Sequence, residues 1–262
     1  MIRVLLIACL LFSTRPIAGF SQSHNKEKYH LVAHRGGVVD EHTPENSHAS
    51  IEKAIAHGYW MIEIDVRLTK DNVMIINHDR DFKRYYNLDR AVDQMTWGEI
   101  KKLRSAKGQK VLKFEDALKL CQGKLQVMID NKIRGNDTVL FGNMMNLLKK
   151  YGMYENALTI GTDESTEFFT GKIKLSCTRE QLEDNMKKPG FKPGDYYLFS
   201  NNITKDDVDW ARKNNILVVG AINNWALKSK GQEGIRKLVD AMKAAGVACF
   251  QVDSEYEYLF KQ

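Results

Sequence analysis

Eight short runs of β-branched and apolar residues recur along the chain, with helix-like segments between most of them. The runs cover residues 31–34, 61–66, 125–130, 157–161, 172–176, 196–200, 216–221 and 247–252. Helical patterns cover 45–57, 114–121, 138–151, 164–169, 179–187, 205–214 and 234–245. This alternation is typical of βα units and a mostly parallel sheet. Eight strands favour an α/β fold closed as a (β/α)8 TIM-type barrel, with an open doubly wound sheet as the alternative.

A further β-type run at residues 73–77 follows the second strand too closely for a parallel crossover, which needs about a dozen residues. We therefore predict a β-hairpin arm with its turn near Lys70 and Asp71, in which facing residue numbers sum to about 142. This register places His78 opposite Ile64 and Asp65, beside Glu63. Residues 80–113 are polar and irregular. They predict a small insertion over the active face, too short for a core of its own.

The first residues predict export. Arg3 precedes a short apolar run at 4–12, and small residues follow up to Ser21, which is the pattern of a secretory signal peptide. The run is shorter than the roughly 20 residues that cross a bilayer as a helix. We expect a signal peptide at 1–21, a linker at 22–28 and one barrel domain at 29–262, in a periplasmic or secreted protein. An uncleaved anchor and lipidation at Cys9 are the alternatives.

The charge and the cysteines exclude several classes of function. The formal charge of +6 falls to +4 without the leader, which carries Arg3 and Arg15 and no acid. The lysines are scattered over helical faces, so a nucleic-acid partner is not expected, while transient contact with a membrane surface stays open. Cys121, Cys177 and Cys249 lack metal-site spacing and are expected to be buried thiols. The sequence does not indicate the oligomeric state.

Acidic residues mark two strands. Glu63 and Asp65 leave the same face of an apolar strand, where they repel one another unless protons or a cation compensate. Oxygen ligands suit Mg²⁺ or Ca²⁺. Asp130 ends the next barrel strand, with Lys132 on the same face, at the end where barrel enzymes place their sites. Asp130 is therefore a candidate third ligand and Lys132 a candidate phosphate contact. A solvated acidic pair and a surface salt bridge are the alternatives.

The first strand ends in His34, Arg35 and two glycines. Histidine can move a proton near neutral pH, and arginine can bind two phosphate oxygens at once. The glycines would let a ligand approach the backbone. Pro44 then fits the first turn of the helix predicted at 45–57.

Taken together and in this order, these residues resemble the glycerophosphodiester phosphodiesterase family, within the phosphatidylinositol phospholipase C-like phosphodiesterase superfamily. The matching segments are Ala33-His34-Arg35-Gly36, Pro44-Glu45-Asn46, Glu63-Ile64-Asp65-Val66, Leu68-Thr69-Lys70-Asp71, Asn77-His78-Asp79, Asp130-Asn131-Lys132, Asn223, Gly246-Val247 and Asp253. The resemblance implies one divalent cation, Ca²⁺ or Mg²⁺, and three kinds of site residue: catalytic His34 and His78; substrate or phosphate contacts Arg35, Lys132 and Glu45; and metal ligands Glu63, Asp65 and Asp130.

The reaction that the resemblance implies is hydrolysis of a small glycerophosphodiester to an alcohol and glycerol 3-phosphate. A glycerol hydroxyl would attack phosphorus, and water would open the resulting cyclic phosphate. Three segments depart from the family pattern. Asp130 replaces a glutamate, Phe114-Glu115-Asp116 replaces Leu-Glu-Glu, and Gly220 replaces a tryptophan, which implies the loss of a wall of the glycerol pocket.

Two alternatives to this reaction stay open. One is a phospholipase D-like or C-like enzyme acting on lysolipids or a polymeric phosphodiester. Its site would need an apolar rim, which Phe82, Tyr85, Tyr86 and Trp97 could form. The other is a non-catalytic barrel that binds phosphate esters.

Overall fold

The computed structural model describes residues 29–227 and 230–261. In chain order its elements are β1 (His30–Ala33), α1 (His48–Ala56), β2 (Met61–Leu68), β3 (Met74–Ile76), β4 (Asp81–Phe82), α2 (Lys83–Tyr86), β5 (Leu88–Ala91), α3 (Trp97–Ile100), β6 (Leu112–Lys113), α4 (Phe114–Cys121), β7 (Gln126–Asn131), α5 (Thr138–Lys150), β8 (Leu158–Ile160), α6 (Thr166–Phe169), β9 (Lys174–Cys177), α7 (Arg179–Met186), β10 (Tyr196–Ser200), α8 (Lys205–Lys213), β11 (Leu217–Ile222), α9 (Asn224–Leu227), α10 (Gly231–Ala245) and β12 (Cys249–Val252). The predicted signal peptide and linker lie outside the described residues.

Strands β1, β2 and β7 to β12 form a closed parallel barrel. Each pairs in parallel with the next, and β1 closes the ring by pairing with both β12 and β2. Val32 lies opposite Gln251 on one side and Met61 on the other. The predicted TIM-type barrel is confirmed, and the open sheet is excluded because these strands leave no free edge.

The barrel interior explains why polar residues gather at one end. A buried apolar layer fills the centre, formed by Val32, Met61, Met128, Leu158, Tyr197, Val219 and Cys249. Side chains two residues apart leave the same face of a strand. Glu63 and Asp65 therefore follow Met61 into the barrel, and Asp130 follows Met128. The inward-facing residues are therefore apolar in the centre of the barrel and acidic at its mouth, at the C-terminal ends of the strands.

The β2–β3 pair is the predicted hairpin arm. Val66 faces Ile76 and Leu68 faces Met74, so the facing numbers sum to 142 as the sequence predicted. Asn72, at φ 59°, makes the tight turn. The backbone N–H of Asn77 donates to the Asp65 carbonyl at 2.9 Å, which carries the ladder to the residue before His78.

The insertion contributes five residues to a small apolar cluster that it shares with β3 of the hairpin arm. The cluster consists of Ile75, Phe82, Val92, Met95, Ile100 and Val111. These residues are spaced irregularly and span β3 to the loop before β6, so neither a helical nor a strand period reveals them. Phe82 is 1% exposed and cannot belong to an apolar rim around the site.

Helix α1 begins at His48, three residues later than predicted. Asn46 adopts a left-handed conformation at φ 51°, which a helix cannot include. Ser47 then caps the helix by accepting from the backbone N–H of Ser50, as serine commonly does. Pro44 therefore lies in the loop before the helix and not in its first turn.

Two other features complete the fold. Cys121, Cys177 and Cys249 are buried free thiols, as predicted. Among residues 29–227 and 230–261, every helix is too short or too polar to cross a membrane.

Candidate active site

Three carboxylates meet at the mouth of the barrel. Glu63, Asp65 and Asp130 each offer an oxygen, and these oxygens lie within 4.8 Å of one another. The pairing of β2 with β7 explains the meeting, because it sets Asp65 opposite Asp130. Glu63 and Asp65 are each only 1% exposed. The three predicted metal ligands are thus brought together by the barrel register.

Glu63 has an incomplete set of partners. The backbone N–H of Arg35 donates to its Oε2 at 2.7 Å, while its buried Oε1 has no hydrogen-bond partner in the described part of the chain. Burial, followed by the charges of Asp65 and Asp130, raises the pKa of Glu63 well above its usual range. An orphaned buried oxygen within a set of hard oxygen donors fits a divalent cation.

Lys132 supplies part of the missing positive charge. Its Nζ lies 2.5 Å from Asp130 Oδ2 and 3.5 Å from Asp65 Oδ1. Burial alone would lower the pKa of Lys132, but these two carboxylates raise it. Burial also raises the pKa of Asp130, against the influence of Lys132. The lysine is therefore a charged member of the acidic group.

His34 is held by a carboxylate at the end of the last barrel strand. Its Nδ1 lies 2.5 Å from Asp253 Oδ1, and its Nε2 lies 3.9 Å from Glu63 Oε2. Burial alone would raise the pKa of Asp253, but the hydrogen bond and charge of His34 hold it below its usual range. Because an ionised carboxylate can only accept, Nδ1 carries the proton in this contact, and Nε2 is left facing the acidic group.

The two glycines after Arg35 serve packing, so the prediction that they admit a ligand is wrong. A Cβ on Gly36 would lie 2.6 Å from the Asn46 backbone, and one on Gly37 would lie 2.1 Å from the Ser50 carbonyl oxygen. Both glycines have positive φ angles, 76° and 125°. They allow the start of α1 to pack directly against the turn that carries His34.

His78 is held in a similar way. Its Nδ1 lies 2.9 Å from Asp79 Oδ1, and the Nε of Arg84 donates to the other Asp79 oxygen at 2.7 Å. Arg84 also contacts Glu45 through both terminal nitrogens. Arg35 Nη1 donates to Glu45 at 3.1 Å. Glu45 therefore lies between two arginines and links the His34 turn to the His78 loop.

Sequence reasoning assigned no role to three residues that the structure places in this site. Asn46 donates through Nδ2 to Asp65 Oδ2 at 2.9 Å, Asp253 holds His34, and Arg84 holds Asp79. The sequence offers a signal for Asp253. It directly follows a barrel strand and shares the inward-facing parity of Cys249 and Gln251, which places it at the end where barrel enzymes carry their sites. Arg84 follows no periodic pattern and is brought in by the fold of the insertion.

Gly220 does not face the glycerol pocket, so that prediction is wrong. A Cβ at this position would lie 2.8 Å from Met242 Cε and 2.9 Å from the Phe250 ring. Both neighbours belong to the core between the strands and the helices. The residue missing here is therefore an outward-facing packing side chain, and the mouth of the barrel is unaffected.

Fold and site together define a (β/α)8 barrel whose mouth combines a carboxylate group with two carboxylate-held histidines. The sequence profile of the Glycerophosphoryl diester phosphodiesterase family matches residues 34–251. The chain belongs to this family, which confirms the resemblance drawn from its motifs.

Individual relatives agree with this assignment. A probable glycerophosphodiester phosphodiesterase 2 of Mycobacterium tuberculosis is 37% identical over 87 residues, 33% of each chain. The chain thus spans about a third of that relative's length. A glycerophosphoryl diester phosphodiesterase from Parabacteroides distasonis has a TM-score of 0.69 at 20% identity, covering 88% of this chain and 85% of that one. An Oleispira antarctica phosphodiesterase, solved in complex with its product sn-glycerol-3-phosphate, has a TM-score of 0.68 at 16% identity, covering 89% and 97%.

Proposed function

We propose that the protein hydrolyses small glycerophosphodiesters to an alcohol and glycerol 3-phosphate, and that it requires a divalent cation. The observation that carries the proposal is that three carboxylates, with Lys132 as their paired cation, share the barrel mouth with two histidines. A carboxylate holds each histidine through its Nδ1. Family membership supports the reaction class, and the product named for the Oleispira relative supports the glycerol 3-phosphate half.

Glu63, Asp65 and Asp130 would hold the cation. Mg²⁺ and Ca²⁺ suit this all-oxygen donor set. When bound, such an ion offsets the charge of the phosphoryl oxygens and favours ionisation of a nearby hydroxyl. Lys132 and Arg35 would contact the phosphoryl oxygens, because both cations border the acidic group. Glu45 would then serve mainly to orient Arg35, since their side chains form an ion pair.

His34 and His78 would move the protons. In each ring a carboxylate engages Nδ1, so Nε2 is the atom available to the substrate. One histidine would take the proton of the attacking glycerol hydroxyl while the other protonates the leaving alcohol. The roles would then reverse as water opens the cyclic phosphate, since each group ends the first step in the state the second requires.

The test measures glycerol 3-phosphate release from a panel of glycerophosphodiesters by the purified protein, with chelator and after readdition of Mg²⁺, Ca²⁺ or Mn²⁺. We expect turnover with a cation, none with chelator, and none in His34→Ala. Inactivity with all three cations would refute the proposal. Hydrolysis of lysophosphatidylcholine in preference to glycerophosphocholine would identify a lysolipid enzyme instead. Tight binding of unchanged diester with metal present would identify a binding protein.

We also propose that the protein is exported and that the barrel starts after a cleaved leader and a short linker. Mass spectrometry of the mature protein, isolated from an expressing cell's exported fraction, tests this. A mature N-terminus near Gln22 is expected, and an intact Met1 would contradict cleavage.

A further inference from the structure

A cavity of about 520 Å³ opens beside the acidic group, on the side of Lys132. The end of β2, the hairpin turn, the start of the insertion and the loop after β7 surround it. Its charged lining residues comprise five cations and one acid: Arg67, Lys70, Arg80, Lys132, Arg134 and Asp93. We call this space the basic cavity.

The outer cations of the basic cavity form no close ion pair in the described part of the chain. Lys70, Arg80 and Arg134 are exposed, and the ion pairs of residues 29–227 and 230–261 include none of them. The arginines of the candidate site differ, because Arg35 and Arg84 both pair with Glu45. An excess of charge of one sign in a concave space concentrates ligands of the opposite sign.

Two side chains join the basic cavity to the candidate catalytic group. Lys132 lines the cavity and contacts Asp130 at 2.5 Å. Arg67 lines it as well, and donates through Nη2 to the His78 carbonyl at 2.7 Å. An anion in the cavity would therefore lie next to the phosphate that His78 and the acidic group act on. A single phosphodiester already has Arg35, Lys132 and the cation available, so the remaining positive charge suits a further anionic group.

We propose that the basic cavity binds a second anionic group of the substrate, so that the preferred diesters carry another phosphate beside the scissile one. This preference rests on the phosphodiesterase activity proposed above. The second phosphate can be a monoester on the alcohol half or the next unit of a glycerophosphate oligomer. Both offer the same chemistry to Arg80 and Arg134.

The test compares kcat/KM within matched substrate pairs. Glycerophosphoinositol is paired with glycerophosphoinositol 4-phosphate, and glycerophosphoglycerol with a glycerophosphate trimer. We expect the wild type to prefer the member with the extra phosphate by about tenfold, the effect of two exposed ion pairs, and less at high salt. The pair with the larger ratio identifies the source of the second phosphate. The double variant Arg80→Gln/Arg134→Gln should reduce this ratio to near one.

Arg236→Gln is the matched control, because Arg236 is also exposed but lies on α10. The control should keep the wild-type ratio. Equal kcat/KM ratios in the wild type and the double variant, with the unphosphorylated diesters hydrolysed, would overturn the proposal that the basic cavity binds a second phosphate. The proposed function would then still stand. If no diester is hydrolysed, calorimetric binding of glycerol 1,3-bisphosphate and glycerol 3-phosphate decides. Tighter bisphosphate binding that the double variant loses supports the cavity, and equal binding overturns it.

Discussion

The contact between Asp253 and His34 gives the sharpest test of the proposed proton transfer. One Asp253 oxygen lies 2.5 Å from His34 Nδ1, and the other accepts the backbone N–H of Asn224 at 2.6 Å. In Asp253→Asn, the amide oxygen can keep the Asn224 contact, which turns the NH₂ group toward His34. Nδ1 must then accept, so the ring proton moves to Nε2. The nitrogen that faces the substrate would no longer be able to act as a base.

The size of the loss follows from this change of tautomer. Fixing the wrong tautomer by an Asp to Asn change costs about 10⁴ in kcat in a serine protease triad. His34 is one of two histidines here, and its ring keeps one neutral partner, so we expect a loss of about 10² to 10⁴ in kcat. That range corresponds to about 2.7 to 5.4 kcal/mol of transition-state stabilisation. KM should change little, because Asp253 acts through His34 and is not proposed to contact the phosphate.

Steady-state release of glycerol 3-phosphate from glycerophosphocholine, with saturating Mg²⁺, measures the effect. Asp209→Asn is the control, because this exposed aspartate pairs with Lys205 on α8, away from the mouth of the barrel. Its kcat should match the wild type. Melting curves of both variants should lie within about 4 °C of the wild type, because the amide in Asp253→Asn keeps both contacts as neutral hydrogen bonds and Asp209→Asn loses only an exposed ion pair. A kcat within twofold of the wild type in Asp253→Asn would refute the proposed role of the contact.

Three other substitutions test different parts of the structure. Glu63→Gln removes an acid whose pKa is raised by burial. Above the unfolded pKa, folding must either protonate this carboxyl or bury its charge, and glutamine avoids that cost. At neutral pH the metal-free protein should therefore gain about 1–3 kcal/mol in unfolding free energy while activity is lost; differential scanning fluorimetry with and without Mg²⁺ checks this, and a less stable metal-free variant would contradict it. Arg84→Gln releases Asp79, which holds His78, so kcat should fall about tenfold or more while the circular dichroism spectrum stays unchanged. Arg90→Gln is an exposed control in the same insertion and should retain activity. Gly220→Ala should lower stability by about 1–3 kcal/mol in chemical denaturation through overpacking, with KM unchanged; a raised KM would show that this position does border the substrate.

Local patterns were sufficient for the scaffold and for half of the site. Strand alternation placed Glu63 and Asp65 on one face, and the short connection after β2 left a hairpin as the only geometry. Val66 pairs with Ile76 as predicted. The short connection between β2 and β3 is thus sufficient to set the register of the hairpin without any tertiary contact. These predictions succeeded because each depends on residues close in sequence, where backbone geometry leaves few choices.

Predictions failed where distant segments meet. His34 and Asp253 are 219 residues apart, so no local period links them, although both end barrel strands. Gly37 was assigned to ligand approach, yet the Ser50 carbonyl occupies the space beside it. Glycine indicates that some group comes close to the backbone, but only the folded chain shows which group. Strand parity alone gives the outward orientation of Gly220. Its neighbours, Met242 on α10 and Phe250 on β12, are known only from the folded chain.

The charges of the site support one divalent cation in preference to a monovalent one. Arg35 and Arg84 together are balanced by Glu45 and Asp79, and a protonated His34 would be balanced by Asp253. Among the groups in direct contact, Lys132 and three carboxylates remain, which leaves two formal negative charges. In the metal-free protein, burial and the charges of Asp65 and Asp130 raise the pKa of Glu63 and so favour its neutral, protonated form. A divalent ion would displace that proton and complete the balance, so cation binding and deprotonation of Glu63 are expected to be coupled.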